Sequence, residues 1–208
     1  MAANQNSVKM DRENRTYHHG ALRPALLQAA EQVLEERGVD SFSLRETARR
    51  AGVSPSAPAH HFRDAKGLLT ALAATAFAEL AEALVAAGEG LTRPERIRAQ
   101  GHAYVRFAMR RRAKFSLMWR AALLDQSDLD LSAAGDRAFH ALDAAVRGEV
   151  AAAVKQPIGA WAIPSIACWA MVHGFAHLAI DGAFGAAPGD AERAADLMLD
   201  GVLHHLQV

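Results

Sequence analysis

The 208-residue sequence predicts an all-α protein. Three observations predict it. Alanine dominates and β-branched residues are sparse, a bias that favours helix over strand. Apolar residues recur at spacings of three and four in block after block. Capping residues, glycines and prolines stand at the ends of those blocks. No strand, no internal repeat and no long linker is expected.

Residues 1–20 are polar and charged without any period, and they predict a mobile arm that lacks the apolar core of a secretion signal. Leu22, Ala25, Leu26, Ala29, Ala30, Val33 and Leu34 then mark a first helix, stopped at Gly38. Ser43 and Glu46 have the spacing of a capping box, and Leu44, Ala48 and Ala51 give the next helix one apolar stripe. After Gly52, Ser54 is expected to cap a third helix with Pro55 in its first position. Pro58 is tolerable there because the residue four before it is the cap. Phe62 closes this unit against the core.

Asp64 opens a long amphipathic helix carried by Leu68, Leu69, Leu72, Ala76, Phe77, Leu80 and Leu84, and Gly88 and Gly90 stop it. Thr92 and Glu95 make a second capping box, followed by Ile97, Tyr104, Val105, Ala108 and Met109. "KFSLMWRAALL" continues the helical pattern, "DQSDLDLS" is a polar connection, and residues 134–154 form another helix ended by Gln156 and Pro157. An apolar helix runs from Trp161 to Phe184, with Pro164 marking its start or a kink, and residues 190–206 close the chain. The segment 158–189 approaches a membrane span in length. Pro164, His173, His177 and Asp181 interrupt it, so a buried helix is expected and no membrane partner.

Composition narrows function. Lys and Arg balance Asp and Glu at 23 each, so no overall positive field points to nucleic acid. Residues 1–70 hold ten Lys/Arg against eight Asp/Glu, and the remainder thirteen against fifteen, a small bias of positive charge toward the front. Cys168 is the single cysteine; it cannot form an internal disulfide and fits a reducing, cytoplasmic compartment. The basic run "RFAMRRRAKF" reads as a solvated face or a junction between domains.

Two short helices separated by "GVS" are the signature of a helix-turn-helix, whose second helix places its N-terminal end in the major groove. Ser54, Pro55, Ser56 and Ala57 shape that end. A structural helical turn of the same form is the competing reading.

The stretch from about residue 22 to 72 resembles the DNA-binding domain of the tetracycline-repressor-like (TetR) family of bacterial regulators. The resemblance is carried by "LLQAAEQVLEERGVDSFSLRETARRAGVS", then by His61 and Phe62, then by Gly67, Leu68 and Leu69. "WAMVHG", Trp169–Gly174, resembles the Trp-(x)3-His-Gly motif in the C-terminal domain of one TetR subgroup. In three places the chain departs from the family pattern. Ala59 stands where an aromatic usually precedes the His-Phe pair, Ala65 stands where lysine is frequent with Lys66 one position later, and Pro58 replaces a common leucine.

The resemblance implies an arm over 1–20, a three-helix DNA-binding domain over 21–70, and a helical ligand-binding and dimerisation domain over 71–208. It implies a homodimer, a double-stranded operator and a small-molecule effector of unidentified chemistry, with no cofactor. Ser54, Ser56 and Ala57 are the base-edge candidates. Ser43, His60 and Lys66 are phosphate candidates, joined by Arg45 if it faces the duplex. Arg12 and Arg15 of the arm are placed to reach an adjacent groove.

Pocket candidates combine apolar surface with a polar handle: His102, Tyr104, Trp119, Trp161, Trp169 and His173. Met109, Phe115 and Met118 supply adaptable apolar area. Ala176, Ile180, Ala183 and Phe184, with Ala194, Leu197, Met198, Gly201, Val202 and His205, are expected to form the dimer seam. His173 and His177 have metal-ligand spacing but lack a local acidic or cysteine partner, and no HExxH, GxSxG or phosphate loop is present. Two alternatives remain open at this stage: a small helical enzyme or ligand carrier using the C-terminal cavity, and an architectural DNA-binding protein without an effector.

Overall fold

The computed structural model describes residues 22–152, 159–185 and 190–204, and no strand occurs among them. The first helix, α1, spans 22–37. Its buried Leu26, Ala29, Ala30, Val33 and Leu34 follow the spacing read from the sequence. Helix α2 (Leu44–Arg50) starts at Ser43, whose hydroxyl accepts from the Glu46 amide at 3.3 Å. The expected capping box is only half made. The Glu46 carboxylate turns to Arg49 and Arg50, at 2.8 and 3.0 Å, because charged donors outcompete a single amide.

Helix α3 (Ala57–Phe62) begins later than the sequence suggests, and its cap is Ser56, not Ser54. The segment before it is a turn, with Ala57 N–H donating to the Ser54 carbonyl at 3.0 Å. This register removes the difficulty with Pro58: the residue four before it lies outside the helix, and the first turn needs no donor from it.

Asp64 caps α4 (Ala65–Gly88), accepting from the Gly67 amide at 2.8 Å. Gly67 is required here by close approach. A Cβ on it would sit 2.0 Å from the Phe62 carbonyl oxygen.

Helix α5 (Arg93–Arg110) follows Thr92, whose amide donates to Glu95 at 3.0 Å. The chain breaks at Arg111 and resumes as α6 (Arg112–Met118), followed by a 3-10 turn at Ala121–Leu123. Helix α7 (Leu129–Arg147) starts five residues before the sequence reading placed it. Asp128, inside the "polar connection", caps it by accepting from Leu131 N–H at 2.8 Å. It stops at Gly148, whose φ of +89° ends the helix, so that the short α8 (Glu149–Ala152) is separate. The expected stop at Gln156 and Pro157 lies outside the described residues. Helix α9 (Ile163–Ile180) has Pro164 in its first turn, and α10 (Ala191–His204) completes the described chain.

Two large apolar clusters divide the molecule, with a smaller third one of Ile97, Ala145, Val146 and Cys168. The first unites Leu26, Leu34, Phe62, Leu68 and Leu72 with Leu117, Leu124 and Leu131. The second unites Leu80, Leu84, Tyr104, Val105, Phe115 and Met118 with Val172, Phe175 and Leu199. Helix α4 runs through both, so residue 70 falls inside a helix that the two domains share. Helix α6 also belongs to both, through Leu117 on one side and Phe115 and Met118 on the other. By length and composition alone, Ala65–Gly88 and Ala160–Ile180 would suffice to cross a membrane. In this fold both pack against α5 around the second cluster.

Candidate nucleic-acid interface and C-terminal cleft

The N-terminal end of α3 is presented to solvent. Ser54, Pro55, Ser56, Ala59 and His60 are exposed and Ala57 is half-buried. The Ser54 and Ser56 hydroxyls lie 3.2 Å apart, so the pair can be read as one small polar tip. Pro58 and Phe62 turn inward and anchor the helix. Arg45 and Lys66 are exposed on the neighbouring helices. Ser43 is half-buried and its oxygen serves the α2 cap. Arg12, Arg15 and His205 lie outside the described residues.

Several basic side chains of this domain are already used internally. Glu46 collects Arg37, Arg49 and Arg50, while Arg50 also binds Glu36 at 2.5 Å, which ties α2 to α1. Hydrogen bonds from Arg49 and then Arg50 hold the Glu46 carboxyl down at about 2. Arg45, Arg63 and Lys66, by contrast, are exposed and form no ion pair among the described residues, though, after hydrogen bonds from Ser127, Lys66 and Arg63 help hold the Asp125 carboxyl below its ordinary range. Arg63 was missed in the sequence. It follows α3 in a left-handed conformation, φ 67°, which a linear pattern does not reveal.

The basic run is a junction. Arg106 binds Asp196 at 2.8 Å and Arg110 binds Glu192, fastening α5 to α10. Lys114, only 4% exposed, places Nζ 2.8 Å from both Glu31 of α1 and Glu79 of α4. Arg111 adds a longer contact to Glu31 at 3.8 Å. One lysine of α6 thereby holds the first domain to the second.

A cleft of about 1540 Å³ lies between α4, α5, α7 and α9. Its interior walls include Leu80, Leu84, Tyr104, Trp169 and Val172, while exposed Glu82, Glu89, Asp136, Arg137 and His140 form the rim. Of the pocket candidates, Tyr104, Trp119, Trp161 and Trp169 line it. His173 stands behind the wall: the Trp169 indole N–H donates to the Tyr104 oxygen at 3.3 Å, and that hydroxyl shares a 2.8 Å hydrogen bond with His173 Nδ1. The phenolic oxygen can accept from the indole and still either donate to or accept from His173 Nδ1, according to the imidazole tautomer. Burial, then the neighbouring His177, lowers the His173 pKa, and burial raises that of Tyr104.

The other pocket candidates are elsewhere. His102 bridges Asp196 and Asp200, each at 2.9 Å, on the α10 side of α5. Met109, Phe115 and Met118 are buried in the second cluster and do not line the cleft, because the face of α6 that carries Phe115 packs inward. The sequence reading missed Gln100 and Asp143, both polar and almost wholly buried in the lining. Gln100 Nε2 donates to the Leu84 and Ala141 carbonyls at 3.2 and 3.3 Å. Burial pushes the Asp143 carboxyl up, but hydrogen bonds from Arg147 and Ser165 outweigh it and hold the group ionised. Their only sequence signal is a polar residue on an apolar stripe.

No group of three potential metal ligands converges among the described residues. His173 and His177 instead pack ring against ring at 4.7 Å. Cys168 is buried in the cleft wall, where burial raises its thiol pKa and leaves it unreactive.

Of the seam candidates, Leu197, Met198 and Gly201 of α10 face outward as expected of them, while those on α9 mostly turn inward. Ala176 is 0% exposed and sits inside its own protomer. Phe184 stacks on Phe175 at 4.8 Å, and Ile180 and Val202 pack on the second cluster. Ala194 is half-buried and Ala183 exposed. The outward apolar stripe of α9 is Ile166, Ala170, Gly174 and Leu178, and on α10 it is Leu197, Met198 and Gly201. The α9 stripe follows four-residue steps that the helix's near-uniform apolarity hides in the sequence.

The sequence profile of the tetracyclin repressor-like C-terminal domain matches residues 97–202, and that of the tetR family of bacterial regulatory proteins matches residues 26–72. A comparison with curated protein sequences finds no match. Among solved structures, the chain is similar to a protein of unknown function from Rhodococcus sp. RHA1, with 36% identity over 92% of this chain and 98% of that one and a TM-score of 0.72. It shares its fold with the TetR family transcriptional regulator PfmR from Thermus thermophilus, at 24% identity, 88% and 99% coverage and a TM-score of 0.63. The same holds for the TetR transcriptional regulator SCO0520 from Streptomyces coelicolor, at 24% identity, 86% and 97% coverage and a TM-score of 0.52.

Proposed function

This chain belongs to the TetR family of bacterial regulatory proteins, and we propose on that premise that it is a homodimeric repressor released from a palindromic operator by a small, partly hydrophobic effector. The family is one of DNA-binding regulators, which removes the enzyme reading. The observation that carries the proposal is the bridge between the two ends. Trp119, a wall of the cleft, directly follows α6, and Lys114 of α6 is clamped to α1 and α4.

In this reading Ser54, Ser56 and Ala57 meet base edges, while Ser43, Arg45, His60 and Lys66 meet phosphates. The outward stripes of α9 and α10 pair with their copies about a two-fold axis, which sets the two reading heads about 34–36 Å apart. An effector acts by binding one head spacing more tightly than the other. Its entry displaces Trp119, α6 carries that displacement to Lys114, and the DNA-binding domain follows. The neutral total charge places discrimination in specific contacts, and a regulator of this kind works in the cytoplasm.

Selection of genome fragments by the purified full chain at near-physiological salt tests this. Recovery of one or a few inverted-repeat sites is expected. Enrichment without a shared half-site would overturn sequence-specific repression.

A further inference from the structure

The connection between α6 and α7 brings one acidic group to the start of α4. The Asp125 amide donates to Thr70 Oγ1 at 2.9 Å, and the Thr70 hydroxyl donates to the Lys66 carbonyl at 2.8 Å. Thr70 is 1% exposed, and Leu124, next to Asp125, is 2% exposed, so both anchors are buried. Arg120 adds a second tie, binding Asp40 of the DNA-binding domain at 2.7 Å.

The side chain is held as firmly as the backbone. Asp125 Oδ1 accepts from the Ser127 amide at 3.0 Å and from the Ser127 hydroxyl at 2.6 Å, and the Asp128 amide donates to the Asp125 carbonyl at 3.1 Å. Oδ2 has no hydrogen bond among the described residues. Hydrogen bonds from Ser127 first, and the charges of Lys66 and Arg63 after them, hold the carboxyl below its ordinary range. The acid therefore stands within the field of two exposed cations that have no ion pair among the described residues.

Lys66 is a phosphate contact in the function proposed above, and this inference rests on that reading. Arg63 is exposed three residues before it, at the end of α3. To either cation, a carboxylate and a DNA phosphate are alike: both are anions that accept charge-assisted hydrogen bonds. A cation already offset by a fixed carboxylate has less to gain from phosphate, and its pairing releases fewer counterions.

We propose that Asp125 is a built-in competitor of DNA phosphate, offsetting Lys66 and Arg63 in the free protein and so holding down the affinity of the reading head. The segment that carries it begins at Trp119, a wall of the cleft, so the competing charge stands on the stretch of chain that joins the two ends of the molecule.

Fluorescence anisotropy of the full-length protein on a labelled mixed-sequence duplex, with potassium chloride raised from about 50 to about 300 mM, tests this. Asp125→Asn removes the charge and keeps an oxygen for Ser127. It is expected to bind about fivefold tighter than the wild type at the lowest salt, with a steeper salt dependence, so that the two converge as salt rises. Asp125→Ser, whose hydroxyl also accepts from the Ser127 amide, should repeat the gain, and circular dichroism shows that each variant is folded. In an Arg63→Gln, Lys66→Gln background the loss of the acid should give no gain. The coupling is also read without changing Asp125: its carboxyl should titrate at higher pH by nuclear magnetic resonance in the Arg63→Gln, Lys66→Gln protein. Equal or weaker binding by the folded variants, or an unchanged titration, would overturn the competition. A gain that persists in full without the two cations would overturn them as its targets. Failure of the wild type to bind the duplex at the lowest salt would instead overturn the reading of this face as the DNA interface.

Discussion

The Tyr104 hydroxyl and His173 Nδ1 share a hydrogen bond of 2.8 Å, joining the middle of α5 to the middle of α9. Trp169, one turn before His173, donates to the same oxygen. The Trp-(x)3-His spacing therefore grips one hydroxyl from two sides, and the motif has a structural role in forming the cleft wall.

The burial of His173 sets a pH dependence. The His173 pKa is lowered on folding, by burial first and by His177 second, so the unfolded chain binds the proton more readily. Its contribution to stability is complete above the unfolded value of about 6.5 and declines as pH falls from there toward the folded value. The melting temperature should fall between about pH 7.5 and about pH 5.5, and His173→Gln should show a smaller fall over the same interval. Equal slopes for the two proteins would dismiss the coupling.

Lys114 makes a second, separable prediction. Lys114→Met preserves the apolar stem but leaves Glu31 and Glu79 facing each other without their shared cation. A loss of about 2 kcal/mol is expected in urea denaturation. If the lysine is also the link between cleft and reading head, operator binding should persist while its response to effector weakens.

Gly67→Ala should be severe for a small change. The new Cβ would lie 2.0 Å from a backbone oxygen, which no side-chain rotation relieves. Thermal denaturation should register a cost of at least about 2 kcal/mol. Ala substitution at Gly135, where a Cβ meets nothing within 4 Å, is the matched control.

At the DNA face, Lys66→Ala and Ser56→Ala should differ in kind. The first should weaken binding to all sequences alike and reduce the salt slope by about one. The second should relax preference at one base position and leave the slope unchanged. Fluorescence anisotropy across a salt series, with operator and scrambled duplexes, separates them.

Leu197 is 68% exposed on α10, beside Met198 and Gly201. Leu197→Asp should yield a folded monomer by sedimentation velocity, because the change touches an outward stripe and no core contact. A variant that remains dimeric would place the subunit interface elsewhere.

The helical class, the limits of α1 and α4, and the bipartite reading unit follow from the chain's local pattern alone. Those features depend on neighbours within a few residues: an apolar period, a glycine stop at Gly38, an Asp64 cap. Local competition moved two boundaries, since Asp128 captured the Leu131 amide before the expected start of α7, and the turn through Pro55 and Ser56 delayed α3 to Ala57. Among the pocket candidates, the aromatic residues Tyr104, Trp119, Trp161 and Trp169 were legible and do line the cleft. Which way a side chain faces was not legible where a helix is apolar on every side, as α9 is. There the sequence has no stripe to read, and packing against α5 and α10 decided that Ala176 turns inward while Gly174 and Leu178 turn out. The same holds for Gln100, Asp143 and Lys114. Burying a polar group is favourable only when partners distant in sequence reach it, and those partners exist only once the helices have packed.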